Sequence, residues 1–176
     1  MKFKKTKIDG AFLIRLERIC DDRGFFARSF CQNEFRQVNI NMNIVQCNIS
    51  YNIKKGTIRG IHYQDPPFEE EKIVTCQKGS IFDVFIDLRK KSPTYLNWDA
   101  IELNSNSHDM IYIPRGCAHG FQTLEDNVIV FYQMGEFYNP SYSRGIRWDD
   151  PLFGIEWPFE VSVISEKDKC YPDFKK

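Results

Sequence analysis

Short stretches of alternating apolar and polar residues cover most of the chain, and Pro, Gly, Asn and Asp stand between them as punctuation. The clearest stretch is Ser80 to Leu88. There Phe82, Val84, Ile86 and Leu88 share one face, while Ile81 and Phe85 share the other with Asp83 and Asp87. The same pattern predicts strands over Ile8–Glu17, Ile44–Ser50, Ile73–Gln77, Ala100–Leu103, Met110–Ile113 and Val128–Met134, and a β-like segment ending in Arg59–Gln64. Gln77-Lys78-Gly79 and Pro114-Arg115-Gly116 read as turns. A short helix is expected from Gln32 to Val38 with Asn33 as its cap. Long amphipathic helices are missing, which argues against a parallel α/β fold. Seven or more short strands at fairly regular spacing imply an all-β sandwich or jelly-roll barrel with a few short helices. Barrels of this type often hold one small ligand in the mouth.

Composition narrows the picture. At 176 residues the chain suits a single domain over 1–176. With 24 Lys+Arg against 24 Asp+Glu the net charge is zero, so there is no bulk attraction to nucleic acid or acidic lipid. Hydrophobic residues at 42% and aromatics at 15% exclude a disordered chain. No apolar run approaches the roughly 20 residues of a membrane span. Met1-Lys2-Phe3-Lys4-Lys5 is not followed by the apolar region of a signal peptide, so a cytoplasmic, reducing location is expected. Cys20, Cys31, Cys47, Cys76, Cys117 and Cys170 include no Cys-x-x-Cys pair, so small buried thiols are expected and neither disulfides nor zinc.

Few residues offer chemistry. In Arg59-Gly60-Ile61-His62-Tyr63-Gln64 a histidine stands near an arginine, a base close to an anion-binding group. A regular strand would put Arg59 and His62 on opposite faces. Both reach one pocket only if Gly60 marks a bulge or the strand ends there. Gln64 stands where a His-x-His metal pair would need its second histidine. His119 follows a turn among small residues and precedes a strand, while His108, amid Asn, Ser and Asp, reads as a solvated loop residue. Tyr132 shares a strand face with Val128 and Val130 and can supply a proton at neutral pH. Lys72, behind Glu69-Glu70-Glu71, and Asp168, in Ser165-Glu166-Lys167-Asp168-Lys169, would each pass as surface charge. Taken singly, each also fits an ordinary structural role.

Their order along the chain says more. Asp22-Arg23-Gly24-Phe25-Phe26, Gln46-x-Asn48-x-Ser50, Arg59-Gly60-Ile61-His62-Tyr63-Gln64, Lys72, Phe82-Asp83-Val84 and Ser92-Pro93-Thr94 make up the first half of a colinear series. It continues with Ile113-Pro114-x-Gly116-x-Ala118-His119-Gly120-Phe121, Arg144-Gly145-Ile146-Arg147-Trp148 and Ser165-x-Lys167-Asp168. The series closely resembles the dTDP-4-dehydrorhamnose 3,5-epimerase family from about Ile8 to Asp168. The resemblance implies a cupin-type jelly roll without metal or other cofactor, usually a homodimer in which an N-terminal segment reaches the neighbouring subunit. It implies a nucleotide-linked 4-keto-6-deoxy sugar as substrate, with His62 as base, Asp168 orienting it, Tyr132 as acid and Lys72 beside the enolate oxygen. Arg59 and His119 would then contact the diphosphate and sugar. Gln46, Asn48 and Lys167 match further binding positions, Tyr138 an aromatic near the base, and Arg23 a residue donated across the dimer.

The departures lie mostly at the nucleotide end. Arg28 and Ser143 stand where the family usually has glutamates, and Cys47 and Ile49 replace an aspartate and a histidine. A carboxylate accepts the thymine imide N–H and an arginine cannot. Arg28 therefore marks a site where the base is thymine, guanine or cytosine. Gln133 replaces a common lysine after Tyr132. Epimerisation at C3 and C5 is the first reading; a mono-epimerase and a non-catalytic sugar-nucleotide-binding cupin are the alternatives.

Overall fold

The computed structural model describes residues 1–175. Thirteen strands and two short helices follow one another along them. The first strands are β1 (Lys2–Lys5), β2 (Phe12–Arg15), β3 (Ile19–Asp21) and β4 (Gly24–Phe26), followed by α1 (Gln32–Gln37). Next come β5 (Gln46–Asn52), β6 (Ile58–Gln64), β7 (Lys72–Lys78), β8 (Ser80–Asp87) and β9 (Trp98–Asn104). The rest are β10 (Met110–Ile113), β11 (Cys117–Thr123), β12 (Val128–Met134), β13 (Ser143–Gly145) and α2 (Glu166–Lys169). Two antiparallel sheets carry the fold, ordered β1-β2-β10-β7-β12-β5 and β13-β6-β11-β8-β9, while β3 and β4 form a separate hairpin. The chain adopts the all-β, two-sheet architecture that the alternation predicts and the cupin type that the resemblance implies.

Each large sheet is covered on both faces. Between them lie Val74, Cys76, Ile81, Phe85, Ile111, Phe121, Val128 and Val130. Outside the first sheet Ile14, Ile73, Met110 and Tyr112 pack under Phe35 of α1 and the loop that follows it. Outside the second, Ile61, Ile86 and Ala118 pack under Ile146 and Phe153. Strands buried on two faces lose clean alternation. β8 is covered on both faces in this way, and Asp83 and Asp87, which share a face with Ile81 and Phe85, are fully buried.

Several expectations are corrected. The Ile8–Glu17 strand shrinks to β2, because Gly10 at φ +76° closes a turn in which Thr6 N–H donates to the Ala11 carbonyl. α1 is capped at Cys31, without a side-chain bond, and Asn33 lies inside its first turn. His119 lies within β11 rather than ahead of a strand, since this strand, paired on both sides and buried throughout, is rich in small residues and has no alternation to show. Among the described residues all six cysteines are free, yet Cys20, Cys47 and Cys170 are exposed, so only Cys76 and Cys117 are the buried thiols expected. Burial pushes those two thiols up to about 12, which keeps them protonated. Among the described residues no helix is long and apolar enough to cross a membrane.

β6 departs from regular pairing at one place. His62 opposes His119 and Arg59 opposes Phe121, so two residues of β6 face the single Gly120. This is the bulge that Gly60 foreshadowed, and it returns Arg59 and His62 to one side of the sheet. Gly60 sits at φ +124°, and a Cβ there would lie 2.5 Å from Gly120 Cα. Gly60→Ala should therefore lower stability by at least the ~1–3 kcal/mol of a strained backbone position. Chemical denaturation would show it as a lower midpoint, and an unchanged midpoint would contradict the close approach.

Candidate active site

The residues that face the space between the sheets change character along it. At one end they are the apolar core; at the other they are ionisable. Period-2 geometry puts Lys72 on the same face as Val74 and Cys76, and Tyr132 on the same face as Val128 and Val130. From the opposite sheet come His119, Asp83 and, past the bulge, both Arg59 and His62. All of these but the fully buried Asp83 bound a cavity of about 670 Å³, whose wall also includes Asn48, Glu70, Tyr138, Lys167 and Asp168.

His62 is held by a residue 106 positions away. Its Nε2–H donates to Asp168 Oδ1 at 2.7 Å, which leaves Nδ1 as the free ring nitrogen. Asp168 is 6% exposed and His62 44%, so the carboxylate is sheltered while the imidazole meets the cavity. Ser165 caps α2 by accepting from Asp168 N–H, and Gly60 N–H points at Asp168 Oδ2 at 3.3 Å. Burial alone would raise the Asp168 carboxyl, but the bonds from His62 and Gly60 hold it below its usual 3.8. A depressed folded-state value contributes stability above the ordinary carboxylate range and loses it as pH falls through the lower value. Asp168→Asn should therefore melt below the wild type at neutral pH, and the gap should close in acid. Melting curves from pH 7 to pH 3 check this; a gap that does not change with pH counts against the pairing.

A second histidine–aspartate pair lies deeper. His119 Nε2 meets Asp83 Oδ2 at 2.8 Å, and burial raises the Asp83 carboxyl against the pull of His119 and Lys72. Lys72 and Glu70 pair at 2.9 Å, both 6% exposed. The surface reading of the Glu-Glu-Glu-Lys run is thus reversed: Glu71 is also buried and accepts the Tyr112 hydroxyl at 2.7 Å. Burial first, and the Asp83 charge second, push the Tyr132 phenol above its ordinary value, while Ser50 and Arg59 pull the other way. Tyr132 therefore keeps its proton through neutral pH. Arg59 is fixed by Nε–H donating to Asn52 Oδ1 at 2.6 Å and Nη2–H to the Tyr51 carbonyl at 3.3 Å.

Nine of the twelve site residues expected from sequence line this cavity. Gln46 lies in a smaller adjoining recess, where its Nε2–H donates to Asn48 Oδ1 at 3.2 Å. Arg23 and Arg28 do not line it. Arg23 sits at the tip of the β3–β4 hairpin against Asp21, and Arg28 pairs with Glu34 at 2.9 Å. His108 is remote, with its ring on Phe25 of that hairpin. Sequence reasoning gave no role to Glu70 or Asp83. Asp83 carried a signal, a carboxylate inside a doubly apolar strand; Glu70 was hidden in a charge run. Among the described residues no cluster of three or more His, Cys, Asp or Glu is placed to hold a metal.

The model of the family described as dTDP-4-dehydrorhamnose 3,5-epimerase matches residues 5–176. The chain belongs to that family. It is accordingly an isomerase, an epimerase of a nucleotide-linked sugar. The dTDP-4-dehydrorhamnose 3,5-epimerase of Methanothermobacter thermautotrophicus is 42% identical to it over 99% of this chain and 95% of its own. The Bacillus anthracis enzyme of that name, solved with TDP and PPi bound, superposes on this epimerase with a TM-score of 0.94 at 36% identity, over 98% and 99% of the two chains. ChmJ of Streptomyces bikiniensis, described as a 3'-monoepimerase and solved with dTDP-quinovose, gives 0.87 at 28% identity, over 96% and 85%. The epimerase thus shares its fold with enzymes described as acting at two carbons and at one.

Proposed function

We propose that this epimerase inverts C3 and C5 of a dTDP-linked 4-keto-6-deoxy sugar, with His62 as base and Tyr132 as acid. The observation that carries the reading is their placement: His62 belongs to one sheet and Tyr132 to the other, and both face the same cavity. Inversion needs a proton removed from one face of the sugar and returned to the other. The C4 ketone makes the neighbouring C–H bonds acidic, because the electron pair left behind delocalises onto oxygen. His62 Nδ1 takes the proton, and Asp168 stabilises the imidazolium that forms. The Lys72 ammonium, anchored by Glu70, meets the developing enolate oxygen. Tyr132 then protonates the carbanion from the opposite wall, and solvent at the cavity mouth resets both groups before the second carbon reacts. The ketone is the electron sink throughout, so the sequence of steps calls on no cofactor.

Arg59, His119 and Lys167 supply the cationic and donor wall that a diphosphate and sugar require, with Asn48 and Tyr138 beside them. The dTDP-linked relatives favour thymine as the base. The β3–β4 hairpin projects Ile19 and Phe26 into solvent, about 70% exposed, with Arg23 at its tip. We read this as one arm of a homodimer in which Arg23 reaches the neighbour's cavity. The unit is a single epimerase domain over residues 1–176, working in the cytoplasm.

The test is NMR in deuterated water with dTDP-, GDP- and CDP-linked 4-keto-6-deoxy sugars. Loss of both the C3 and C5 proton signals with the dTDP sugar is the expected result. Loss at one carbon alone makes the protein a mono-epimerase. Faster exchange with GDP or CDP overturns the nucleotide, and none with any sugar leaves only the binding cupin.

A further inference from the structure

His62 is tethered at one point. Its bond to Asp168 fixes the Nε2 end of the ring, but rotation about that end would swing Nδ1 away from a bound sugar. The cavity itself leaves room for such a swing, since the side chain is nearly half exposed.

The residue that closes this freedom lies just after α2. The Tyr171 ring meets the His62 ring edge to face, with centroids 6.1 Å apart and planes at 70°. It rests on Gly145, which is directly opposite His62 in the β6–β13 ladder. A Cβ on Gly145 would lie 2.1 Å from Tyr171 Cε2, so no side chain can occupy that position while the ring is there. Gly145 is not among the glycines with positive φ, so its lack of a side chain serves the ring and not the backbone. The segment carrying Tyr171 is anchored beyond it. Phe174 N–H donates to Asp150 Oδ2 at 2.6 Å, Asp173 pairs with Arg147 at 2.8 Å, and the Phe174 ring packs on Phe153. Among the described residues the buried Tyr171 hydroxyl has no hydrogen-bond partner, and the nearby Lys167 only offsets part of the rise that burial gives the phenol. The ring is therefore what meets His62.

We propose that Tyr171 is a positioning residue for the base, its ring setting the plane of the His62 imidazole while Asp168 sets its end. Lys167, Asp168 and Tyr171 thus come from one short helix and its tail: a cation for the ligand, a tether for the base and a wall for its ring. The proposal rests on the reading of His62 as the base.

The test compares Tyr171→Phe and Tyr171→Leu using the dTDP-linked 4-keto-6-deoxy sugar, with kcat, KM and melting temperature measured for each. Phenylalanine keeps the ring and loses only an unpartnered hydroxyl, so its kcat should stay within about twofold of the wild type, with an equal or higher melting temperature. Leucine keeps bulk but not the flat edge, so kcat should fall about 10- to 100-fold, as for a reacting group displaced by about 1 Å. KM should change little, because Tyr171 does not line the cavity. Tyr171→Met carries the same comparison should the leucine variant not fold. Equal kcat in the leucine and phenylalanine variants, or a loss confined to KM, overturns the proposal. His62→Ala assayed alongside separates the two readings. If it retains turnover, the base assignment itself fails; if it is inactive while Tyr171→Leu is normal, only the role of Tyr171 is lost.

Discussion

His62→Ala should lower turnover by about 10²- to 10⁴-fold, the range a positioned general base contributes, and deuterium exchange at C3 and C5 should fall with it. Proton removal precedes every later step at both carbons, so the whole reaction slows with it. The fold should persist. His62 is 44% exposed to the cavity, so its removal opens no packed void, and Asp168 keeps its place through the Ser165 cap of α2. A melting curve close to wild type together with lost exchange separates a chemical defect from unfolding. Retained exchange at either carbon would sink the assignment. The second histidine of the cavity does not compensate, because its side chain is only 5% exposed and is held against the buried Asp83, away from the open space that His62 meets.

Tyr132→Phe should give a different defect. The base and Lys72 remain, so the enolate still forms and deuterium still enters the sugar. Without the acid on the opposite wall, the carbanion recovers its proton from the His62 side and the configuration is kept. Product should fall about 10²-fold or more, while wash-in at C3 and C5 falls much less. NMR reads both quantities from one sample. Equal loss of exchange and inversion would instead place Tyr132 with substrate binding. In the wild type, burial holds the phenol above its ordinary value of 10, so ionisation of Tyr132 should not limit the rate at neutral or mildly alkaline pH.

Much of the fold is legible in the sequence. Alternation located eight of the thirteen strands, including the β-like segment of β6, and Gly60 between Arg59 and His62 pointed to the bulge that the ladder contains. β1 was not legible, because its Lys-Phe-Lys-Lys run has one apolar residue and takes its strand conformation from pairing with β2 at the sheet edge. The hairpin of β3 and β4 buries almost nothing, so it left no alternation. In β11 the small residues that let it lie between two neighbouring strands also erased its pattern. For the site, the residue types and their colinear order identified nine of the residues around the cavity. Burial was the part misjudged. Glu70, Glu71, Lys72 and Asp168 all read as solvent-facing, and each is buried against a partner.

What the sequence determined by itself is short-ranged or ordinal: the period of two, the turn residues, the family's motifs in series, and the identity of each ionisable group. Which of those groups meet was decided by the tertiary structure. Lys72 and Tyr132 face His62 because two sheets, each apolar on its inner face, exclude water together and leave only one end of the gap open to polar residues. Asp168 becomes a tether, and not a surface charge, because a four-residue helix docks beside β6 and its carboxylate exchanges water for the His62 N–H and the Gly60 N–H. Tyr171 acquires its place only because Gly145, far from it in the chain, has no side chain to refuse it. None of these pairings is encoded within the span of a strand or a turn; each follows from burying surfaces that are distant in sequence.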